Sequence, residues 1–382
     1  MQCDYFDAGV CRSCTLMGTA YQGQLAAKDA RCRAALAQTT PPGRLIDWLD
    51  PVPSAPSGFR NKAKLVVGAT AAAPTLGILD PRGHGVDLRA CGLHEPTLYA
   101  ALPQFAAFVT AAGLTPYDVP ARRGELKYLL VTASPTGELM LRIVLRSRDL
   151  LDRALEALPR LQAAVPHLAV VSANLHPEHK AVLEGDTELT LSGRASLPMP
   201  VNDLVLRLHP RSFFQTNTAI AAALYRQART WIDETAPASV TDLYCGVGGF
   251  ALHAAAPGRS VLGVEVSPEA VDSARTTAAD QAQSRADLGP VDFVSGDATA
   301  YALGHPAAEL IVVNPPRRGL DPQLTDWLER TDVGHVVYSS CNVTTLARDL
   351  ARMPSLRPVR ARVFDMFPQS EHLEVMVLLA RG

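Results

Sequence analysis

From about Phe213 to its end, the chain alternates short apolar runs with longer helix-like segments in regular order. That alternation leaves few folds open, because consecutive parallel strands need a long crossover and a helix usually supplies it. Residues 240–244, 260–265, 291–295, 310–313 and 335–338 have the β-branched and aliphatic makeup of strands buried on both faces, and a terminal pair follows at 360–364 and 374–380. The expected fold class is α/β, with a Rossmann-like open sheet covered by helices on both faces. Such sheets bind ligands at the carboxyl ends of their strands, so the residues found there carry the function.

At the first of these ends stands Asp242-Leu243-Tyr244-Cys245-Gly246-Val247-Gly248-Gly249-Phe250. A glycine-rich turn between strand and helix lets the backbone approach a ligand, although many such turns bind nothing. Glu265 ends the next strand about 20 residues later, where a carboxylate can accept hydrogen bonds from both ribose hydroxyls. A surface carboxylate at a strand end is the plainer reading, and the spacing favours the ribose. The loop lacks the full G-x-G-x-x-G that a pyrophosphate wants, so S-adenosylmethionine fits it better than a dinucleotide. Asp297, in Ser295-Gly296-Asp297 after the third strand, is placed to meet the adenine, although Gly-Asp is also ordinary turn chemistry.

Asn314-Pro315-Pro316-Arg317 follows the fourth strand, and the two prolines fix the backbone that presents Asn314. Amino-methyltransferases place an aromatic residue after a similar run; Arg317 argues against adenine N6 chemistry here. Cys341 ends the fifth strand in the polar turn Ser339-Ser340-Cys341-Asn342, where a thiolate can be exposed and hydrogen-bonded. Cys245, by contrast, reads as an inert buried thiol. A thiolate suits one reaction in particular. Uracil C5 is too weak a nucleophile to take a methyl group unaided, and addition of a thiolate at C6 makes C5 nucleophilic. A base must then remove the C5 proton, with Glu374 in His372-Leu373-Glu374 as the candidate and His372 as the runner-up.

The first half of the chain reads differently. Cys3, Cys11, Cys14 and the distant Cys91 supply four thiolates, suited to zinc or to an iron-sulfur cluster, and spacing does not decide between them. A helix over 22–37 contains Cys32 as a buried residue and should stop at Pro41-Pro42-Gly43, with a proline-rich linker at 51–56. Alternating strands at 64–67, 128–133 and 139–145, with helices at 98–112 and 150–164, make an α+β central domain. The expected division is therefore 1–58, 59–200 and 201–382. Net charge is -2, yet residues 60–148 hold eleven basic side chains against six acidic, with Lys62, Lys64 and Lys127 prominent in a lysine-poor chain. Taken alone, that patch reads better as a solvated face than as a nucleic-acid site. No apolar run suggests a signal peptide or membrane span, so a soluble cytoplasmic protein is expected.

In order along the chain, Phe213-Phe214-Gln215-Thr216-Asn217, DLYCGVGGF, NPPRRG, SSCN and DMFPQSEHLEV resemble the motifs of the RNA 5-methyluridine methyltransferase family. The resemblance spans the whole chain and is strongest to members that methylate a uridine of 23S ribosomal RNA. It implies a class I S-adenosylmethionine-dependent sheet, cofactor contacts by Gln215, Tyr244, Glu265 and Asn314, a nucleophile at Cys341 and a base at Glu374, while Gly246 and Asp297 are further cofactor candidates by position alone. Much of the family has Asp where this chain has Asn314. By its position Gln215 is also a candidate contact to the base. The resemblance further implies a [4Fe-4S] cluster on Cys3, Cys11, Cys14 and Cys91, which would make the first residues an iron-sulfur segment. It also raises the RNA-binding reading of the strand at Phe59-Arg60-Asn61-Lys62-Ala63-Lys64, which would hold phosphate while a flipped uridine enters the cleft.

Three functions compete on these residues: uracil-C5 methylation in ribosomal RNA, or at a transfer-RNA or other ribosomal site; methylation at another atom, with Cys341 dispensable; and a non-enzymatic iron-sulfur RNA-binding module. RNA is the expected partner, with no membrane and no obligate protein partner, and a monomer is expected.

Overall fold

The computed structural model describes residues 1–39, 45–180 and 182–382, so Pro41-Pro42-Gly43 lies outside the described residues. The chain forms two compact units, Met1–Ser13 with Ser57–Met199, and Cys14–Pro56 with Pro200–Gly382.

The first unit is built on a seven-stranded sheet in the order Gly85–Asp87, Ala73–Leu79, Lys62–Thr70, Leu126–Ala133, Leu139–Leu145, Leu168–Leu175, Thr187–Thr190. Neighbours are antiparallel except Leu139–Leu145 and Leu168–Leu175, which run parallel across the helix Leu151–Ala164. Strand alternation sends Ala63, Leu65 and Val67 into the core, where Leu98, Leu102, Phe105 and Val109 of the helix Pro96–Ala111 meet them at three- and four-residue spacing. Lys62 and Lys64 therefore stand on the opposite face.

Several of the basic residues of this unit are engaged by other groups. Lys127 is buried, and its ammonium donates to the Glu178 carbonyl. Arg142 is buried between Glu184 and Glu188. Arg89 pairs with Asp87 and Arg146 with Glu125, each at 2.7 Å. Burial pushes the Lys62 ammonium down to about 8, with Lys64 and Arg142 adding to the shift. Lys64, Arg82, Arg122, Arg123 and Arg148 are exposed. The cationic surface is thus smaller than the residue count suggests, because a count ignores the carboxylates brought in by later strands.

In the second unit an eight-stranded sheet runs in the order Asp47–Trp48, Leu356–Phe364, Glu374–Arg381, His335–Ser340, Leu310–Val313, Ser239–Leu243, Ser260–Glu265, Val291–Ser295. Five of these, from His335–Ser340 to Val291–Ser295, are mutually parallel, so their carboxyl ends line one edge. Glu374–Arg381 runs antiparallel to both neighbours and brings its first residue, Glu374, to that same edge.

The segment 14–56 belongs to this unit and does not form a separate N-terminal body with residues 1–13. Its helix Tyr21–Ala37 buries Cys32 and Leu36 in the core of the sheet, and Asp47 pairs in parallel with Arg360. Residues 51–56 are not a loose linker. Val52 bridges to Phe364, the Ser54 amide donates to the Tyr21 hydroxyl at 2.6 Å, and Gln369 Nε2 donates to the Pro56 carbonyl at 3.1 Å. Proline is tolerated there because the segment lies at the sheet edge. Among the described residues, no helix is long and apolar enough to cross a membrane.

Candidate active site

Tyr244 leaves the Ser239–Leu243 strand with φ 70°, a left-handed conformation that costs a non-glycine residue of order 1–3 kcal/mol. It is held there because the amides of Tyr244 and Cys245 both donate to the Val264 carbonyl at 3.0 Å. Gly249 packs where a Cβ would lie 2.4 Å from the Tyr225 hydroxyl, whereas a Cβ on Gly246 would meet nothing within 4 Å. The turn is therefore closed on its protein side and open at Gly246. Glu265 joins it from the next strand: Oε2 accepts from the Gly246 amide at 3.1 Å and Oε1 from the Ser267 amide at 2.9 Å. Each oxygen keeps a lone pair for a further donor, as a ribose diol requires.

Asp242, within the quoted motif but given no role by sequence, is wholly buried beneath this turn. Its Oδ2 accepts from the Ala251 amide at 3.0 Å, while Oδ1 is buried with no hydrogen-bond partner among the described residues. Desolvation pushes this carboxyl up to about 8, and Glu265 adds to the shift. An acceptor left so is costly unless a ligand donor completes it, and a cationic amino acid moiety would. Its signal in sequence was an acid at a buried strand end immediately before the glycines.

Asn314 follows the Leu310–Val313 strand half-exposed, with no side-chain hydrogen bond among the described residues. Gln215 is buried, beside an exposed Phe213 (69%) and a buried Phe214. Asn217 caps the helix Thr218–Thr235 through the Ile220 amide and donates to Ser54 Oγ at 2.8 Å, which fixes that run. Asp297 is exposed and caps the helix Ala298–Gly304, accepting from the Ala300 amide at 2.9 Å. One of its oxygens is thus engaged in the turn chemistry that such residues favour.

The catalytic candidates meet where His335–Ser340 pairs with Glu374–Arg381. Ser339 lies opposite Met376 and Ser340 opposite Val375, so one further step places Cys341 opposite Glu374. Glu374 is 2% exposed, and Ser339 Oγ donates to its Oε1. Burial lifts this carboxyl to about 7 against the opposing effect of the Ser339 hydrogen bond. His372 is exposed on the preceding loop, with its ring edge-on to Phe367 and its imidazolium disfavoured by burial and by Arg317. Cys341 is half-buried. Burial and the nearby Glu374 push its thiol up, while the charge and a hydrogen bond of Arg317 pull it down.

Arg317, read from sequence only as a departure from other methyltransferases, is therefore the cation beside the thiol. Its loop is stitched to the cysteine turn: Asn342 Nδ2 and Thr345 Oγ1 donate to the Arg317 carbonyl at 3.2 and 3.3 Å. Gly319 closes the loop at φ 80°, where a Cβ would sit 2.4 Å from Asp349 Oδ2. Cys245 is buried with its thiol pushed far up, and the Cys32 thiol is pushed up to about 12. Both are inert.

Of the N-terminal cysteines, Cys3, Cys11 and Cys91 lie in the first unit and Cys14 in the second. The Cys3 carbonyl accepts from Phe6 and Asp7, Cys11 donates to the Tyr5 carbonyl, and the Tyr5 hydroxyl accepts from the Ala90 amide at 3.1 Å, next to Cys91. Burial pushes the Cys91 thiol up and nearby Cys3 and Cys11 add to it. Among the described residues, no three His, Cys, Asp or Glu side chains are grouped to hold a metal ion.

Residues 299–382 match the tRNA (Uracil-5-)-methyltransferase family and residues 221–326 the methyltransferase small domain. A Halothiobacillus neapolitanus protein named 23S rRNA (uracil(747)-C(5))-methyltransferase RlmC is 46% identical over the whole of both chains. The protein of that name from Yersinia pseudotuberculosis is 44% identical, covering 100% of this chain and 99% of the relative. Among solved structures, Pyrococcus abyssi tRNA (uracil-54, C5)-methyltransferase in complex with S-adenosyl-L-homocysteine superposes with a TM-score of 0.79 at 24% identity, over 96% of this chain and 86% of that one, and so shares the fold. The chain belongs to the RlmC family of 23S rRNA (uracil(747)-C(5))-methyltransferases.

Proposed function

We propose that this chain methylates C5 of a uridine in 23S ribosomal RNA. The observation that carries the reading is the strand register that sets Cys341 opposite the buried Glu374, at the sheet edge that also carries the open glycine turn. The full-length relatives, named for uracil(747), supply the substrate class. S-adenosylmethionine, when bound, would supply an electrophilic methyl group, its sulfonium sulfur keeping the electron pair of the broken C–S bond and leaving as a neutral thioether. Glu265 would take its ribose hydroxyls, and Asp242 would take a donor of its amino acid portion. Tyr244 and Gly246 line the turn, Gln215 and Asn314 present amides, and Asp297 keeps an oxygen for the adenine.

Cys341, as the thiolate favoured by Arg317, adds to C6 and sends the C5=C6 electron pair to C5, which takes the methyl. Glu374 then accepts the C5 proton. The C–H pair re-forms C5=C6, the C6–S bond breaks, and the thiolate returns to Cys341. A carboxyl lifted to about 7 is matched to that task near neutral pH, since it can both accept a proton and release it. The exposed ring of Phe213, next to Gln215, offers a stacking face for an unstacked base.

A [4Fe-4S] cluster on Cys3, Cys11, Cys14 and Cys91 is part of this proposal. The thiols of Cys3 and Cys11 lie near enough to Cys91 to raise it, which supports their sharing one site, and the family resemblance rather than the spacing favours iron-sulfur over zinc. The first unit would hold RNA through exposed cations such as Lys64, and the second, with its eight-stranded sheet, would perform the reaction. A ribosomal RNA substrate makes the cytoplasm its place of action, and the reaction needs a single copy of the chain.

The test uses RNA carrying 5-fluorouridine at the target. Fluorine on C5 cannot leave as a proton does, so the methylated adduct stays bound through sulfur. A denaturation-resistant protein–RNA band that disappears in Cys341→Ala is expected. Normal turnover by Cys341→Ala would refute the reading, and mapping 5-methyluridine in ribosomal and transfer RNA of a deletion strain separates the two substrates.

A further inference from the structure

The helix Tyr21–Ala37 has a divided buried face. Gln24, Lys28, Cys32 and Leu36 succeed one another at four-residue spacing and are all at most 2% exposed. The second pair is apolar and belongs to the sheet's hydrophobic core. The first pair is polar, and packing alone gives no reason for it, because an ammonium and a carboxamide are expensive to take out of water and two apolar residues would fill the same space.

Apart from the Leu16 and Thr19 carbonyls, which also accept from Gln24 Nε2 at 3.3 and 2.9 Å, their partners lie on one stretch of chain. Lys28 Nζ donates to Asp365 Oδ1 at 2.6 Å and to the Phe367 carbonyl at 3.0 Å. Gln24 and Gln369 are joined twice, Nε2 to Oε1 and Gln369 amide to Gln24 Oε1, both at 3.0 Å. The Leu16 amide donates to the Gln369 carbonyl at 3.0 Å, and Arg31 reaches the Glu371 carbonyl from the helix surface. Gln369 is buried and left-handed, at φ 65°, a conformation that a non-glycine residue keeps only when its surroundings over-determine it. The helix supplies that determination.

This stretch is the connection between two catalytic-sheet strands. Phe364 ends one, Glu374 begins the next, and the two are register partners. The path of residues 365–373 therefore sets how Glu374 enters the site, and a helix more than three hundred residues earlier in the chain holds that path.

We propose that Lys28, acting through Asp365 and supported by Gln24 and Arg31, is a positioning residue for the proton-removal step. The inference rests on the uracil-C5 reading above, and it makes a claim about which step fails. Addition of Cys341 to C6 and methyl transfer to C5 do not use Glu374. Transfer of the C5 proton to its carboxylate, with re-formation of C5=C6 and loss of the C6–S bond, does. Loosening the 365–373 connection should therefore leave the early steps running and strand the enzyme on methylated RNA.

Lys28→Met keeps the length of the side chain and removes its charge. With ordinary uridine RNA, kcat should fall at least tenfold while KM changes less than threefold, and a denaturation-resistant methylated adduct, scarce in the unmodified protein, should accumulate. Formation of the 5-fluorouridine adduct should keep its rate, and Lys28→Arg should recover most of the turnover. Arg31→Ala, at an exposed position that folding tolerates, should show the same accumulation with a smaller loss, and it decides the matter if Lys28→Met does not fold. Turnover unchanged in both variants overturns the proposal. So does a parallel fall of 5-fluorouridine adduct formation and turnover, which is what a general loss of structure would give. If the unmodified protein itself forms no 5-fluorouridine adduct, the uracil-C5 reading fails first, and the two failures are told apart.

Discussion

Ser339 donates its hydroxyl hydrogen to Oε1 of Glu374 across two antiparallel strands, inside the sheet and out of contact with water. The bond favours the ionised carboxylate and so works against the burial that raises it to about 7. Turnover should accordingly rise with pH through about 7 as Glu374 loses its proton. Removing the donor in Ser339→Ala should move that acid limb upward by about one pH unit, since a hydrogen bond to a charged group contributes ~1.5–3 kcal/mol. A kcat profile between pH 5.5 and 9 checks this, and a limb that stays in place counts against the pairing.

Glu374→Gln should separate the two halves of the reaction. The amide retains the shape of the side chain but does not accept the C5 proton. Multiple turnover should fall by at least a hundredfold, in the upper range attributed to general base catalysis. One methyl group per enzyme should still be transferred, and it should be recovered in the protein–RNA adduct. His372→Ala should do neither, because His372 is exposed on the loop rather than placed at the end of the strand. Full turnover by Glu374→Gln would move the proton-acceptor role elsewhere.

In the proposed reaction Arg317 favours the Cys341 thiolate. Its charge and hydrogen bond lower the thiol against burial and Glu374. In Arg317→Ala the thiol should titrate higher, so alkylation by iodoacetamide near neutral pH should slow several-fold, with Arg317→Lys between the two. The measurement is the pH dependence of Cys341 labelling, with Cys341→Ser as background. Equal labelling of Arg317→Ala and the unmodified protein would remove Arg317 from this role.

Gly319→Ala tests the loop that carries Arg317. At φ 80° and with Asp349 Oδ2 2.4 Å from the new Cβ, the side chain has neither the conformation nor the space. Asp349 has little freedom to retreat, because its Oδ2 also accepts from the Leu320 amide and the Tyr338 hydroxyl at 2.8 and 2.7 Å. A loss of about 1–3 kcal/mol in stability is expected, read as a lower melting temperature. The Cys341 thiol should titrate higher as its cation is displaced.

What sequence revealed and what it did not divide along physical lines. The sheet was legible because its strands are short, largely apolar and β-branched runs between helix-like segments, and the strands at 260–265, 291–295 and 310–313 stand where expected. The nearness of Glu265 to the glycine turn was legible because it depends on local strand-end spacing, and its carboxylate accepts from the Gly246 amide. Lys127, prominent as a cation in sequence, proved buried against the Glu178 carbonyl, a partner 51 residues away. The prolines of 51–56 suggested a linker because proline breaks regular structure, yet their edge position depends on Tyr21, Phe364 and Gln369. Arg317 and Lys28 were missed for the same reason. Each acts through one contact made by tertiary folding, and periodicity contains no trace of such contacts.

Asp242 should make the stability of this protein respond to pH and to cofactor together. Its carboxyl is raised from 3.8 to about 8 in the folded chain, and that of Glu374 from 4.5 to about 7. In the unfolded chain both ionise near pH 4, so between there and about pH 8 the folded state binds more protons. Stability from these groups is therefore complete below pH 4 and is lost as pH rises through 7 and 8. For Asp242 the full change is on the order of several kcal/mol. Other titrating groups act in the same range, so the comparison is with Asp242→Asn, whose stability relative to the unmodified protein should rise steadily from pH 5 to pH 8.5 in urea titrations. A donor that completes Oδ1 should restore what ionisation takes away. S-adenosylmethionine should consequently raise the melting temperature of the unmodified protein more at pH 8 than at pH 6, and that of Asp242→Asn little at either. Equal shifts at both pH values would mean that the cofactor does not reach this carboxylate.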